Sequence, residues 1–426
     1  MQAKSMSRFT RWVMSFFLVF HLTISAQQFV STNPQSVGFS SERLETLTNA
    51  LQDYVDQNKL PGAVALVARN GKIAYWETVG FQEVEKRKAI QKNTLFRIAS
   101  QTKALVSVGI MILQEEGKLL ITDPLSNYIP EFENTTVAEP TEESYKVVPA
   151  KRKITLRDLL THTAGIDYGW GTASDVWKAA GIQGWYFADR TEPILETVKR
   201  MASLPQQAQP GTEFVYGYNT DILGAVIEVV SGQSLADFLQ QRIFDPLGMK
   251  DTHFYLPKSK ADRLAVVYSL TEKGLERAPD VGTMVSQGAY VNGPRQSYSG
   301  GAGLLSTAED YATFLQMMLN KGSYNGHRIL SRKSVALMTQ NHLGDVVFPW
   351  TPGMGFGLGF STVEEVGRRG QLGSHGEFGW GGAYHSTYWV DPAEKMVVVY
   401  FTQVIPANNL NDHEKLRALI YQALVD

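Results

Sequence analysis

The sequence of 426 residues contains no cysteine. This absence excludes disulfide bonds, cysteine nucleophiles, thiolate zinc sites and a lipid-modified amino-terminal cysteine. Positive charge is not concentrated either, since the formal net charge is −2 and no long basic run occurs, which argues against nucleic acid as a partner. With 43% hydrophobic and 19% charged residues, the composition is typical of a globular protein with one large domain or two intertwined domains.

Long apolar runs are rare, and the clearest one lies at the amino terminus. Residues 1–26 begin with a basic region, continue with a short apolar core over residues 12–22, and end in the small-residue cleavage pattern Ile-Ser-Ala. This order predicts a secretory signal peptide. The alternative is a membrane anchor, but the core is shorter than the roughly 20 apolar residues of a spanning helix. We therefore expect residues 27–426 to be exported, periplasmic or secreted, with no stable membrane anchor after cleavage.

The most informative segment is Ser100-Gln101-Thr102-Lys103, because it places a charge at the start of an apolar helix. Residues 104–113 are almost continuously apolar and predict a buried helix. A lysine is rarely buried there without a partner. Ser100 shares a helix face with Lys103, at a helix start that favours developing negative charge, so the pair is typical of an activated serine nucleophile. The simpler alternative is that Ser100 is a helix cap and that Lys103 reaches the surface.

Strand-like segments occur near both ends of the chain, and together they predict a sheet built from the two ends. The strand segments are residues 63–68, 72–78, 383–390 and 395–402, and the helical segments at the termini are residues 38–58 and 412–424. The middle of the chain, roughly Ser100 to Asn320, is predicted to be mainly helical. Within it, the polar residues 133–153 predict a surface loop. The aromatic residues 167–193 predict a loop that packs on the body or lines a binding site.

Several short motifs occur in an order typical of one enzyme superfamily. They are Phe96–Lys103, Glu116–Leu119, Asp123-Pro124, Leu159–Gly165, Pro246–Met249 and Gly303–Thr307. The chain thereby resembles the serine β-lactamase and penicillin-binding-protein-like superfamily, in which Ser-x-x-Lys is a known motif, and most closely the family VIII carboxylesterases, which are similar to class C β-lactamases. The resemblance implies an α+β, β-lactamase/transpeptidase-like fold. An antiparallel sheet (about residues 37–95 and 322–426), flanked by terminal helices, would carry a large helical inserted domain (about residues 96–321).

The resemblance also implies the catalytic residues. Ser100 would be the nucleophile, and Lys103 and Tyr216 would share the proton transfers, with the identity of the resting base left open. Tyr216 is chosen because the Asp-x-Leu-Gly at residues 221–224 follows it at the family VIII spacing.

The tyrosine loop departs from the superfamily pattern at one position. Its Tyr-x-Asn triplet is Tyr-Gly-Tyr here, so that Asn219 comes one position late and Tyr218 is the alternative to Tyr216. Both Tyr218 and Asn219 are expected to contact substrate.

A second glycine-rich segment, Trp380-Gly381-Gly382, precedes the predicted strand 383–390. Penicillin-binding enzymes carry Lys-Thr-Gly at the equivalent place, whereas the family VIII esterases carry Trp-x-Gly. The resemblance implies that these three residues bind substrate. It also implies that the backbone N–H groups of Ser100 and Ala383 form an oxyanion hole.

The histidines provide a weaker pattern. His375 and His385 are expected to border the pocket, and His162 is expected to be structural. His375, Glu377 and His385 could be considered as metal ligands, but their spacing is not typical of a metal site. We therefore expect no metal and no other cofactor.

These observations predict an exported serine hydrolase that cleaves a small-molecule ester or amide through an acyl-enzyme on Ser100. One alternative is a β-lactamase or a D-alanyl-D-alanine carboxypeptidase, which the tryptophan at position 380 and the missing asparagine disfavour. Another is a D-amino-acid amidase or similar peptidase on the same fold. A further alternative is a non-catalytic cell-wall-binding module, which the presence of Ser100, Lys103 and Tyr216 disfavours. No Gly-x-Ser-x-Gly occurs, so the nucleophile motif of the α/β-hydrolases is not present.

Overall fold

The computed structural model describes residues 29–426, and the predicted signal peptide, residues 1–26, lies outside the described residues. The strands in the described range are β1 (Val30–Ser31), β2 (Gly62–Arg69), β3 (Lys72–Glu83), β4 (Lys88–Ala89), β5 (Phe96–Arg97), β6 (Thr136–Pro140), β7 (Tyr145–Pro149), β8 (Tyr268–Thr271), β9 (Gly274–Arg277), β10 (Leu305–Ser306), β11 (Ser323–Tyr324), β12 (His327–Arg328), β13 (Met354–Phe356), β14 (Ser361–Val363), β15 (Phe378–Gly382), β16 (Ser386–Asp391) and β17 (Met396–Phe401). The helices are α1 (Ser41–Asp56), α2 (Thr102–Glu115), α3 (Leu156–Leu160), α4 (Ser174–Ala179), α5 (Ile194–Met201), α6 (Asn219–Ser231), α7 (Leu235–Leu239), α8 (Asp245–Leu247), α9 (Ala308–Leu319), α10 (Arg332–Met338), α11 (Val366–Arg369) and α12 (Asp412–Tyr421).

The main sheet joins the two ends of the chain. Its strand order is β1-β3-β2-β17-β16-β15-β14-β13, with β4 paired to β3. All neighbours are antiparallel except β1 and β3. The closing pair is β2 and β17, in register from Val64 opposite Phe401 to Arg69 opposite Met396. The predicted α+β fold, with a sheet from both chain ends, is confirmed.

Strand β2 is buried along its whole length, because both faces of the sheet are covered. Val64, Leu66 and Ala68 face the main core with α2 and α9, whereas Ala63, Ala65 and Val67 face a second core with α1 and α12. This alternation follows from the period of two in a strand, and it explains why the segment is apolar throughout.

Helix α2 is the centre of the main core. Every residue from Thr102 to Leu113 is buried, and the helix packs against α6 so closely that a Cβ on Gly109 would lie 2.9 Å from Ile227 Cδ1. Within residues 29–426 no single helix is long and apolar enough to cross a membrane; the bent pair Asn219–Ser231 and Leu235–Leu247 reaches that length and composition only when taken together.

One predicted loop is instead a hairpin. Residues 133–153, expected as a surface loop, contain the antiparallel strands β6 and β7. The polar composition of these residues did not indicate strands. The hairpin is stabilised in part by a segment that is distant in sequence. Ala138 N–H donates to Gln206 O at 2.9 Å, and Gln206 N–H donates to Thr136 O at 2.8 Å.

A buried ion cluster attaches α12 to the start of β15. Glu377 accepts two hydrogen bonds from Arg417, at 2.7 and 2.8 Å, and one from Arg369 at 2.8 Å. The Arg417 guanidinium also lies 4.1 Å from the ring centroid of Trp389 on β16. The cluster therefore holds the strand that carries Trp380.

Replacing Glu377 with glutamine is expected to lower the free energy of unfolding by about 3–5 kcal/mol, because two buried guanidinium groups lose their shared carboxylate. Urea denaturation followed by circular dichroism measures the change. Glu365→Gln is the matched control, since it removes an exposed ion pair with Arg368 and should cost less than about 1 kcal/mol. Equal losses in the two variants would contradict a structural role for the buried cluster.

Candidate active site

The predicted nucleophile, Ser100, lies in a short 3-10 turn, Ala99–Gln101, that leads directly into α2. Ala99 has a φ of +43°, a left-handed conformation that costs a residue with a Cβ about 1–3 kcal/mol. The end of β15 supports this turn, since a Cβ on Gly382 would lie 2.4 Å from Ile98 O. The close approach of glycine backbone thus brings β15 against the turn that holds Ser100 half-buried.

Lys103 is buried, with 1% of its surface exposed, and its Nζ faces three acceptors. These are Gly301 O at 2.8 Å, the Tyr168 hydroxyl at 3.0 Å and Ser100 Oγ at 3.3 Å. An ammonium group has three N–H donors and no acceptor, so the three contacts satisfy it. When the group is a neutral amine, its lone pair can accept the proton of Ser100 Oγ over the same distance.

Tyr216 lies beside Lys103 but uses its ring for that contact. The ring centroid is 4.6 Å from Lys103 Nζ, a favourable distance for a cation over an aromatic face. The Tyr216 hydroxyl accepts a hydrogen bond of 3.0 Å from Trp380 Nε1. Tyr216 therefore bridges Lys103 and the predicted substrate strand, with its side chain only half-buried.

The tyrosine whose hydroxyl contacts Lys103 is Tyr168, which the sequence analysis did not identify as a site residue. It lies in the aromatic segment 167–193 and is only 6% exposed. Burial raises the pKa of Tyr168 well above its usual value, and the nearby Tyr216 and Asp221 raise it further, while a hydrogen bond with Ser100 acts in the opposite direction. The sequence feature that could have identified Tyr168 is its position three residues after the Leu159–Gly165 motif.

The predicted oxyanion and substrate segment is the carboxyl-terminal half of β15. Strand β14 pairs only with Phe378 and Gly379, so within the described residues Trp380–Gly382 has one edge without a strand partner. Ala383, which follows the strand, is exposed. Free backbone edges of this kind can hydrogen-bond an extended substrate.

Two expected substrate contacts face away from this cleft. Tyr218 is fully buried and its hydroxyl donates to Gly184 O at 2.8 Å. The Asn219 side chain is also fully buried, with Nδ2 2.9 Å from His162 Nδ1. The expectation of direct substrate contact is therefore wrong for both side chains, because Tyr218 bonds the segment 167–193 and Asn219 bonds the segment that contains His162 and Ile166. No feature of the sequence around Tyr218 or Asn219 indicates that their side chains are buried.

His375 and His385, which were expected to border the pocket, each form a hydrogen bond with another part of the protein. His375 is exposed on the turn before β15, with Nδ1 2.9 Å from Glu364 O, at the end of the strand opposite Ala383, so it does not border the cleft as expected. His385 lies in the turn after β15, where Nε2 is 2.6 Å from Asp412 Oδ1 and the ring stacks on His413 at 4.1 Å between centroids. A contact of that length is a hydrogen bond within an imidazole–carboxylate pair.

An aromatic wall closes one side of the cleft. It consists of Phe214, Tyr216, Phe348, Trp350, Phe356 and Trp380. Trp350 was not predicted; its ring is 5.4 Å from that of Tyr216 and 5.5 Å from that of Trp380. At 55% exposed, it leaves much of its surface open to a ligand.

Comparisons with known proteins show which family this chain belongs to. The Beta-lactamase family model matches residues 47–422. Protein Rv1367c of Mycobacterium tuberculosis is 32% identical, over 84% of this chain and 89% of that protein. Esterase EstB of Burkholderia gladioli is 29% identical, over 87% of this chain and 93% of that protein. Among solved structures, that of "EstCE1, a hydrolase with promiscuous acyltransferase activity" has a TM-score of 0.77 at 26% identity, over 89% of this chain and 98% of that chain.

Proposed function

The chain belongs to the Beta-lactamase family and is a serine hydrolase, and from this premise we propose that it is an exported carboxylesterase that cleaves neutral esters through an acyl-enzyme on Ser100. The observation that carries the proposal is the buried Lys103 with its Nζ 3.3 Å from Ser100 Oγ. A buried amine at that distance can take the serine proton, which is the requirement for an activated nucleophile.

Acylation starts when Ser100 Oγ attacks the ester carbonyl carbon and its proton passes to the neutral Lys103 amine. The carbonyl oxygen becomes an oxyanion, for which the N–H groups of Ser100 and Ala383 are the proposed donors. The carbon–oxygen bond to the alcohol then breaks, and the proton held by the Lys103 ammonium passes by way of the Tyr216 hydroxyl to the departing oxygen, which leaves the amine neutral again. Water repeats the sequence on the acyl-enzyme, and the acid leaves.

We assign the proton delivery to Tyr216 and the alignment of Lys103 to Tyr168. Tyr216 is half-buried and its hydroxyl is held at the cleft by Trp380 Nε1, so it can reach a leaving group. Tyr168 is buried and its hydroxyl accepts from Lys103 Nζ, which orients the amine toward Ser100.

The substrate class follows from Trp380. At the place where a lysine would receive a substrate carboxylate, the indole provides a neutral N–H that is already bonded to Tyr216. A substrate carboxylate would there lack a charged partner, whereas a neutral ester has no such requirement. The aromatic wall favours small, flat or apolar groups on the ester.

Export is the remaining part of the proposal. It is supported by the signal-peptide pattern of residues 1–26 and is compatible with a chain that contains no cysteine. The proposed partner is a small-molecule ester.

Ser100→Ala is expected to abolish both ester hydrolysis and covalent labelling by a fluorophosphonate, because the proposed nucleophile is removed. Mass spectrometry of the labelled protein identifies the modified residue. The matched control is Ser107→Ala, a buried serine on the same helix, which should label like the wild type. A label that persists in Ser100→Ala and maps to another serine would refute the mechanism.

Tyr216→Phe is expected to lower kcat by roughly 100-fold, the usual effect of losing a general acid–base group. Tyr218→Phe is the control, because its hydroxyl bonds only backbone carbonyls away from the cleft. Steady-state kinetics on p-nitrophenyl acetate compare them with Tyr168→Phe. If Tyr216→Phe behaves like the wild type and Tyr168→Phe is inactive, the delivery role belongs to Tyr168.

The wild-type kcat/KM for a short-chain aryl ester is expected to exceed that for any penicillin or cephalosporin by at least about tenfold, which corresponds to about 1.4 kcal/mol in the barrier. Both substrate types are assayed on one preparation whose active sites have been titrated with the fluorophosphonate. Faster turnover of a cephalosporin than of every ester would instead favour a β-lactamase.

A further inference from the structure

A buried carboxylate, that of Asp221, has no part in the steps above. It lies in the first turn of α6 and is 0% exposed. Its Oδ1 accepts hydrogen bonds from Ser299 Oγ at 2.6 Å and from Gly301 N–H at 3.0 Å. Within residues 29–426, Oδ2 is buried and has no hydrogen-bond partner. A carboxylate left half unpaired in the core is costly, and the positive charge of Lys103 offsets part of that cost.

One peptide group connects Asp221 to the catalytic lysine. Gly301 donates its N–H to Asp221 Oδ1, and Gly301 O accepts from Lys103 Nζ at 2.8 Å. A Cβ on Gly301 would lie 2.3 Å from Asp221 Oδ2, so only glycine allows this approach. The Asp221 carboxylate thus fixes the position of the Gly301 carbonyl, which accepts the hydrogen bond from Lys103.

Among residues 29–426, the other side chains that contact or face Lys103 are Ser100, a histidine and two tyrosines, which supply no negative charge. Burial and the charge of Lys103 hold the pKa of His162 well below its usual value, so this ring is neutral. Burial raises the pKa of Tyr168, and Tyr216 presents its ring face. Asp221 is therefore the carboxylate that can offset the ammonium.

The groups around Asp221 act on its charge in opposite directions. Burial raises the pKa of Asp221, whereas the charge of Lys103 and the hydrogen bonds from Ser299 and Gly301 oppose that rise. Tyr218, which faces it, also has a pKa raised by burial and stays neutral. The nearby Asp167 uses its Oδ2 to accept the N–H groups of Trp170 and Gly171.

We propose that Asp221 is a positioning residue for the hydrolytic reaction: it stabilises the protonated form of Lys103 and fixes the Gly301 carbonyl that holds it, and so sets the pH at which Ser100 becomes active. This inference rests on the proposed function of Ser100 and Lys103. Removal of the negative charge makes the ammonium easier to deprotonate, because an opposite charge nearby favours the charged form. The active, neutral amine then exists at lower pH.

The test is Asp221→Asn, which keeps the shape and an oxygen acceptor but removes the charge. The pH dependence of kcat/KM for p-nitrophenyl acetate reports the ionisations of the free enzyme. We expect the acid limb of the profile to move down by about one pH unit or more, with a lower plateau because the lysine is less firmly held. Glu228→Gln, the same change two turns along α6, is the matched control and should leave the profile unchanged.

A uniform loss of activity without movement of the limb, or a movement to higher pH, would overturn the proposal, because a purely structural role lowers the whole curve. If Asp221→Asn does not fold, Ser299→Ala decides. It keeps the carboxylate but removes the 2.6 Å hydrogen bond that favours its charged form, so less negative charge acts on Lys103 at a given pH and the limb should move to lower pH. An unchanged limb, or one moved to higher pH, in Ser299→Ala would refute the role.

The inference about Asp221 can be tested even if the protein is not an esterase. If no ester is hydrolysed, the rate of fluorophosphonate labelling of Ser100 replaces turnover as the measured quantity. Its pH dependence in the wild type, Asp221→Asn and Glu228→Gln tests the same inference without any assumption about the natural substrate.

Discussion

The burial of one ammonium group, on Lys103, constrains the arrangement of the whole site. A charge in the core must be matched by acceptors, and here the acceptors come from three separate parts of the chain. Ser100 lies on the turn before the same helix, while Tyr168 and Gly301 lie 65 and 198 residues away in sequence. These contacts fix the aromatic segment 167–193, the glycine turn near residue 300 and α6 relative to α2. The position of Ser100 relative to Lys103 therefore follows from the need to give each N–H donor of Lys103 an acceptor.

Local signals explain what could be predicted from the sequence. The apolar helix behind Ser100 and the strands at the chain ends are each defined within a few residues, so periodicity predicts them, whereas the role of Ser100 and Lys103 also depends on the family resemblance. The contact of Tyr168 with Lys103 and the place of Trp350 in the aromatic wall depend on segments that meet only in the folded state. Tyr218 and Asn219 were misassigned for the same reason, since burial of a polar side chain is decided by its distant neighbours. The hairpin in residues 133–153 escaped notice because its third hydrogen-bonding segment, at Gln206, is far along the chain.

Trp380 supplies a hydrogen-bond donor to the cleft without supplying a charge. A tryptophan has an N–H donor but no charge, so it can hold the Tyr216 hydroxyl as a cation would while presenting a neutral surface to the ligand. Its ring also continues the aromatic wall through Trp350. Trp380 thus holds the Tyr216 hydroxyl without giving the cleft a positive charge that would attract an anionic ligand.

The pairing of β2 with β17 has a consequence for the order in which the molecule can assemble. The central strand pair joins residues near 64 to residues near 401, so a ribosome must release nearly the whole chain before the sheet can close. Contacts of such long sequence separation slow folding, and partly synthesised chains expose unpaired strands. The central sheet of a polypeptide with this topology therefore forms only when synthesis is almost complete.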